Sequence, residues 1–193
     1  MTLTQHRRDY LPVAAGLEST GPTQPQTGVP APEYTLSVLQ VVPTAPALVW
    51  MVGAHGGAGE TTLAGLHERF VPSGRRWILP SPQSPIAPCV VTARTSYHGL
   101  WYAQQVLQQW AGWPTTQLAP QLLGLVLLAD APGSLPRPLR DYARLVAGGA
   151  PRVWNIGWIP AWRTGDMGEQ PPRQIVRLVN DLVFLLDLQQ ATA

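Results

Sequence analysis

The sequence predicts an α/β domain with an open, mainly parallel sheet and helices on both faces, preceded by a Pro-rich leader. Three observations carry this. From residue 48 onward, short apolar runs of strand length alternate with longer runs of helical periodicity; the strand runs are apolar on both faces; and Gly- or Pro-containing turns separate the two kinds. All eight tryptophans follow residue 47, which is where the core belongs.

Residues 1–33 hold Pro12, Pro22, Pro25, Pro30 and Pro32 and no Trp or Phe, too little apolar surface to offset ordering entropy, so a disordered leader is expected there and one domain over 34–193. Tyr34-Thr-Leu-Ser-Val-Leu-Gln-Val-Val42 reads as a strand at a sheet edge. Leu48-Val-Trp-Met-Val52 is a buried strand that runs through Gly53-Ala-His-Gly-Gly-Ala-Gly-Glu-Thr-Thr62 into a helix carrying Leu63, Leu66 and Phe70. Arg76-Trp-Ile-Leu79 and Cys89-Val-Val-Thr92 are short strands. Thr95 or Ser96 caps a helix carrying Leu100, Trp101, Ala103, Val106, Leu107 and Trp110. Leu122 to Leu128 is a fully buried strand, Pro136 to Ala147 a helix stopped by Gly148-Gly149, and Arg152 to Ile159 the last strand. Pro171-Pro172 opens a terminal helix with Ile175, Leu178, Val179, Leu182, Leu185 and Leu186 at helical spacing. Val176, Val183 and Phe184 fall off that stripe and suggest a second buried face or a dimer contact.

Composition excludes several kinds of chemistry. All 13 basic residues are arginine, so lysine Schiff bases, lysine general bases and a phosphate-clasping lysine are ruled out. The net charge of +2 gives no support for nucleic-acid binding. A single cysteine, Cys89, precludes an internal disulfide, and the apolar stretch after the first ten residues is too short and Pro-broken for a signal peptide. No apolar run approaches the ~18–20 residues of a membrane span. A cytoplasmic protein is expected. His6, His67 and His98 have no metal-ligand spacing, and Cys89 reads as a core residue.

The Gly-rich turn is the most informative segment. A strand, glycines that let backbone N–H groups curl inward, and a helix start together make an anion cradle in plan. It resembles the deviant Walker A loop of the ParA/MinD family of P-loop ATPases, Lys-Gly-Gly-Val-Gly-Lys-Thr-Thr. Aligned without gaps, His55-Gly56-Gly57-Ala58-Gly59-Glu60-Thr61-Thr62 keeps three glycines and both threonines and replaces both lysines. The resemblance implies a truncated P-loop NTPase-like fold and an ATP or GTP site with Mg²⁺. Ala58, Gly59 and Glu60 would then offer N–H groups to phosphates, Thr61 would hold the metal, and Thr62 would sit by the α-phosphate. Gly124 to Asp130 resembles the family's strand whose terminal Asn contacts adenine, with Ala129 at that place and Asp130 just beyond. Trp158-Ile-Pro-Ala-Trp-Arg163 resembles its Ile-Pro stretch, where Trp162 would stack on a ring.

The departures are informative too. Glu60 stands where the family keeps its phosphate-binding lysine, exchanging an attraction for a repulsion, each about 4 kcal/mol per charge pair at 4 Å and effective dielectric ~20. Glu60 is therefore expected to turn outward into solvent, and Glu60→Lys to raise anion affinity. Leu79-Pro-Ser-Pro-Gln-Ser-Pro85 carries no carboxylate where the family has its Asp-rich switch, and no strand carries the Walker B aspartate. The run Asp130-Ala-Pro-Gly-Ser-Leu-Pro-Arg-Pro-Leu139, with Trp154 and Trp162-Arg163, also resembles uncharacterised actinobacterial proteins, some linked to mobile elements.

Three readings follow. In the first, a degenerate ParA/MinD-like protein that has lost hydrolysis binds a nucleotide or anion, or regulates a partner, in plasmid or conjugative-element biology. In the second, an active ATPase draws its missing charge from arginine, Arg94 or Arg163 in cis or one from a partner. In the third, the loop is empty and the protein is purely structural. A protein partner or homodimer is expected, since Trp154, Trp158 and Trp162 cannot all enter one core.

Overall fold

The computed structural model describes residues 17–40, 48–81, 87–165 and 171–192. Its elements run β1 (Ser37–Gln40), β2 (Val49–Gly53), α1 (Glu60–Ala64), β3 (Phe70–Pro72), β4 (Arg76–Leu79), β5 (Pro88–Arg94), α2 (Tyr97–Ala111), β6 (Gln121–Leu128), α3 (Arg137–Ala147), β7 (Val153–Ile156), α4 (Pro160–Arg163) and α5 (Arg173–Thr192). Five strands form one parallel sheet in the order β3-β2-β5-β6-β7. The expected open α/β architecture is present.

Both faces of the sheet are dry, which is why its strands are apolar throughout. Val52, Val91, Ala93, Leu125 and Leu127 pack against Leu100, Ala103, Val106 and Trp110 of α2 and Ala143 and Val146 of α3. Met51, Val90, Val126, Leu128 and Ile156 pack on the other face against Leu63 of α1 and Ile175, Leu178, Leu182 and Leu186 of α5. Val183, off the main stripe of α5, joins this second core, whereas Val176 is 42% exposed. The β5–β6 register slips at Cys89/Val90, so Leu123 is an extra residue in β6. That bulge puts Leu122 and Leu125 on one face and Leu123 and Val126 on the other. Gly124 sits in it, where a Cβ would lie 2.5 Å from the Arg152 carbonyl oxygen.

Three segments differ from expectation. The helix after the Gly-rich turn ends at Ala64 rather than reaching Phe70, because Gly65 terminates it and Phe70 instead starts β3. The expected edge strand over 34–42 is shorter, 37–40, with 41–42 outside the described residues, and it pairs in parallel with β4 in a separate two-stranded sheet. Gln109 of α2 holds that pair on the domain: its Oε1 accepts from Leu36 N–H at 2.8 Å and Trp77 Nε1 at 3.0 Å, and its Nε2 donates to the Leu36 carbonyl. Residues 17–33 of the expected disordered leader form neither helix nor strand, yet they lie fixed on the domain. Thr20 N–H donates to the Pro151 carbonyl, Gln26 N–H to that of Ala111 and Glu33 N–H to Gln105 Oε1. Intrinsic composition argued for disorder; acceptors on the folded domain supply what the segment itself lacks. Residues 1–16 lie outside the described part.

The strand order fixes where a ligand belongs. From β2 the chain moves to one side to form β3 and then to the other side to form β5, β6 and β7, so the order reverses between β2 and β5. In open α/β sheets, ligands bind outside the carboxyl ends of strands at such a point.

Candidate functional site

The Gly-rich turn leaves the carboxyl end of β2 at this reversal. Ala54 N–H donates to the Thr92 carbonyl at 2.9 Å, carrying the strand pairing one residue further, and Ala58 N–H closes the turn on the His55 carbonyl at 3.2 Å. Gly57 and Gly59 adopt φ of 78° and 89°, the left-handed region that favours glycine. At Gly59 the need is doubled, since a Cβ would stand 2.2 Å from Cδ1 of the buried Leu128.

Two side chains lock the turn to its neighbours. His55 Nε2 accepts from Arg94 N–H at 3.2 Å while Nδ1 lies 2.9 Å from the Gly56 carbonyl. Its ring lies 5.9 Å from that of Tyr102. His55 is thus turned into its own domain. Arg94, ending β5, donates from Nε to the Gly57 carbonyl at 3.2 Å and from Nη1 to the Ala129 carbonyl at 3.0 Å. It thereby ties together the ends of β2, β5 and β6. Arg94 has no carboxylate partner among the described residues, so its charge stays available.

These groups open on a cleft of about 580 Å³ at the carboxyl ends of β2, β5, β6 and β7, within the size range of small-molecule sites. Of the residues singled out in the sequence, His55, Gly56, Gly57, Thr62, Asp130 and Trp162 line it; Ala58, Gly59, Glu60 and Thr61 do not. Ala58 is buried beneath the turn and Thr61 is exposed outside the cleft. Asp130 is positioned by its own N–H, which donates to Thr95 Oγ1 at 3.2 Å. Arg94 and Arg163, named above as sources of charge, both line the cleft, and Trp158 joins them with the Arg163 guanidinium 5.9 Å from its ring centre. The four-residue spacing of Trp154, Trp158 and Trp162 divides accordingly: Trp154 is buried under α5, and the other two face the cleft. The sequence singled out Trp162 alone and missed Trp158, which also lines the cleft.

Glu60 departs most from expectation. Its carboxylate does not turn out to solvent. Oε1 accepts from Gly74 N–H at 2.6 Å, Arg75 N–H at 3.2 Å and Ser73 Oγ at 3.2 Å, holding the turn between β3 and β4, where Arg75 has φ of 57°. The negative charge is therefore spent on a neighbouring loop and kept out of the cleft, and Glu60→Lys would dismantle that loop rather than simply restore a phosphate ligand. Elsewhere, Cys89 is buried, and burial pushes its thiol up to about 12, leaving it a core residue rather than a nucleophile. No group of three or more His, Cys, Asp or Glu that could hold a metal ion occurs among the described residues. No helix among them is long and apolar enough to cross a membrane.

A sequence profile defined for a family of unknown function (DUF6668) matches residues 47–180. The chain belongs to that family. The DUF6668 match runs from β2 into α5 and includes every residue lining the cleft, while β1 and the segment before it lie outside. No curated protein and no solved structure matches the chain.

Proposed function

We propose that this protein is a nucleotide- or anion-binding module that does not hydrolyse its ligand, a degenerate relative of the ParA/MinD-like P-loop proteins in which arginine has taken over from lysine. One observation carries the reading. The Gly-rich turn, two arginines and two tryptophans converge on one cleft at the point where the strand order reverses. Arg94 and Arg163 suit phosphate oxygens, since guanidinium groups offer several donors in a plane and stay charged. Trp158 and Trp162 suit a base or another flat ring.

The same residues argue against hydrolysis. Asp130 is the one carboxylate lining the cleft among the described residues, and Glu60 is committed to the 73–75 turn. Thr61 is exposed outside the cleft, so the magnesium role implied for it does not fit. What remains is binding, with the ligand's charge met by guanidinium groups. Such a module signals by changing shape or partner when filled, which fits a regulatory role in plasmid or conjugative-element biology.

A titration with ATP, ADP and GTP, with and without Mg²⁺, followed by Trp fluorescence and thermal shift, tests this. Saturable quenching that diminishes in Trp162→Phe is expected. The reading fails if no shift in either signal occurs at about 5 mM nucleotide, a ligand weaker than ~3 kcal/mol of binding. Phosphate release abolished by Thr61→Ala would overturn the non-hydrolytic part alone.

A further inference from the structure

The last strand of the five-stranded sheet leaves an open edge. Leu125 N–H donates to the Arg152 carbonyl at 2.9 Å and Ala129 N–H to the Ile156 carbonyl at 2.8 Å. Residues 152, 154 and 156 therefore turn their backbone groups toward β6, and by alternation Val153 and Asn155 turn theirs away from it. Those outward N–H and C=O groups have no partner among the described residues. Beside them runs a second cleft, of about 530 Å³, lined by residues 152–156 together with α5 and the segment around Leu17. An open strand edge flanked by room for another chain is a template for strand addition, with main-chain hydrogen bonds giving affinity and flanking side chains giving choice.

Charge selects the occupant. Arg177 is paired with Asp181 at 3.7 Å, and Asp181 also accepts from Trp154 Nε1 at 2.9 Å. Arg152 donates to the carbonyls of Leu17 and Leu123, and neither it nor Arg173 has a carboxylate partner among the described residues. Glu18 is the one further acid in the cleft's lining among the described residues, so there the groove keeps positive charge. The chain's own residues 1–16 have the wrong sign, with Arg7 and Arg8 against Asp9. The geometry points to β7 as a strand-addition site for an extended, acidic peptide segment of a partner protein. The site is separate from the cleft at the carboxyl ends of the strands and does not depend on a nucleotide binding there.

The test is selection of a random decapeptide library on the full chain, followed by fluorescence polarisation of the enriched peptides. Acidic peptides with alternating apolar residues should be enriched. Their affinity should drop about tenfold or more in Asn155→Pro, which deletes an outward N–H but spares the donors facing β6, and about tenfold in Arg173→Glu. Should Asn155→Pro fail to fold, N-methylation of alternate peptide amides removes the same hydrogen bonds from the other side and should abolish binding. The proposal is overturned if nothing is enriched, if basic peptides are, or if neither Arg173→Glu nor N-methylation weakens binding. It is likewise overturned if deleting residues 1–16 raises peptide affinity by tenfold or more, because the chain's own segment would then be the occupant.

Discussion

Replacing Glu60 should cost stability. Its Oε1 accepts three hydrogen bonds from the 73–75 turn, and Ser73 is buried while Gly74 and Arg75 are exposed. Net contributions of hydrogen bonds to a charged acceptor run about 1.5–3 kcal/mol each, but here one oxygen serves three donors and water can reach two of them. Loss of the group in Glu60→Ala should therefore cost about 2–3 kcal/mol, which in a domain of this size lowers Tm by roughly 5–10 °C. Glu60→Gln keeps a neutral acceptor and should cost about 1 kcal/mol, while Glu60→Lys presents a donor to donors and should cost at least as much as alanine. Thermal unfolding followed by circular dichroism checks the order. If all three variants unfold within about 0.5 kcal/mol of the parent, Glu60 is a surface residue and the assignment of its charge to the turn is wrong.

Gly57→Ala should cost about 1 kcal/mol, the price of positive φ alone, because nothing stands within 4 Å of the added methyl. Gly59→Ala should cost about 1–3 kcal/mol more, because its methyl must displace the buried Leu128; equal losses in urea unfolding would refute that contact. Cys89 should resist a thiol-specific chromophoric reagent in the native protein and react fully in denaturant; rapid native labelling would show the strand end to be open. Its folded pKa of about 12 lies above the unfolded value, so the neutral thiol favours folding at low and neutral pH. That contribution is lost as pH rises from about 9 toward 12, by up to roughly tenfold in the folding constant per pH unit. A Cys89→Ala variant should show a flatter alkaline decline, and an identical decline would contradict the sign.

The α/β class and most strands were legible because buried parallel strands leave continuous apolar runs, as in Leu122 to Leu128. β3 was not, since Phe70 and Val71 are its only apolar residues before Pro72 and its pairing with β2 is a tertiary fact. The lining of the cleft by His55, Gly56, Gly57 and Asp130 followed from their places at strand ends, whereas Trp162 was reached only through the resemblance. Capture of Glu60 by a turn fourteen residues away leaves no local pattern, so the sequence showed the loss of a lysine without showing what the glutamate does.

The proposed function rests on guanidinium groups supplying the charge in this cleft. Calorimetric titration of ATP into the parent, Arg163→Ala and Arg94→Ala, each checked for folding by circular dichroism, tests it most directly. Measurable binding to the parent and a loss of roughly tenfold or more in each variant are expected, the worth of one charge-assisted hydrogen bond. Binding of equal strength in all three proteins, or no heat from any of them, would contradict it.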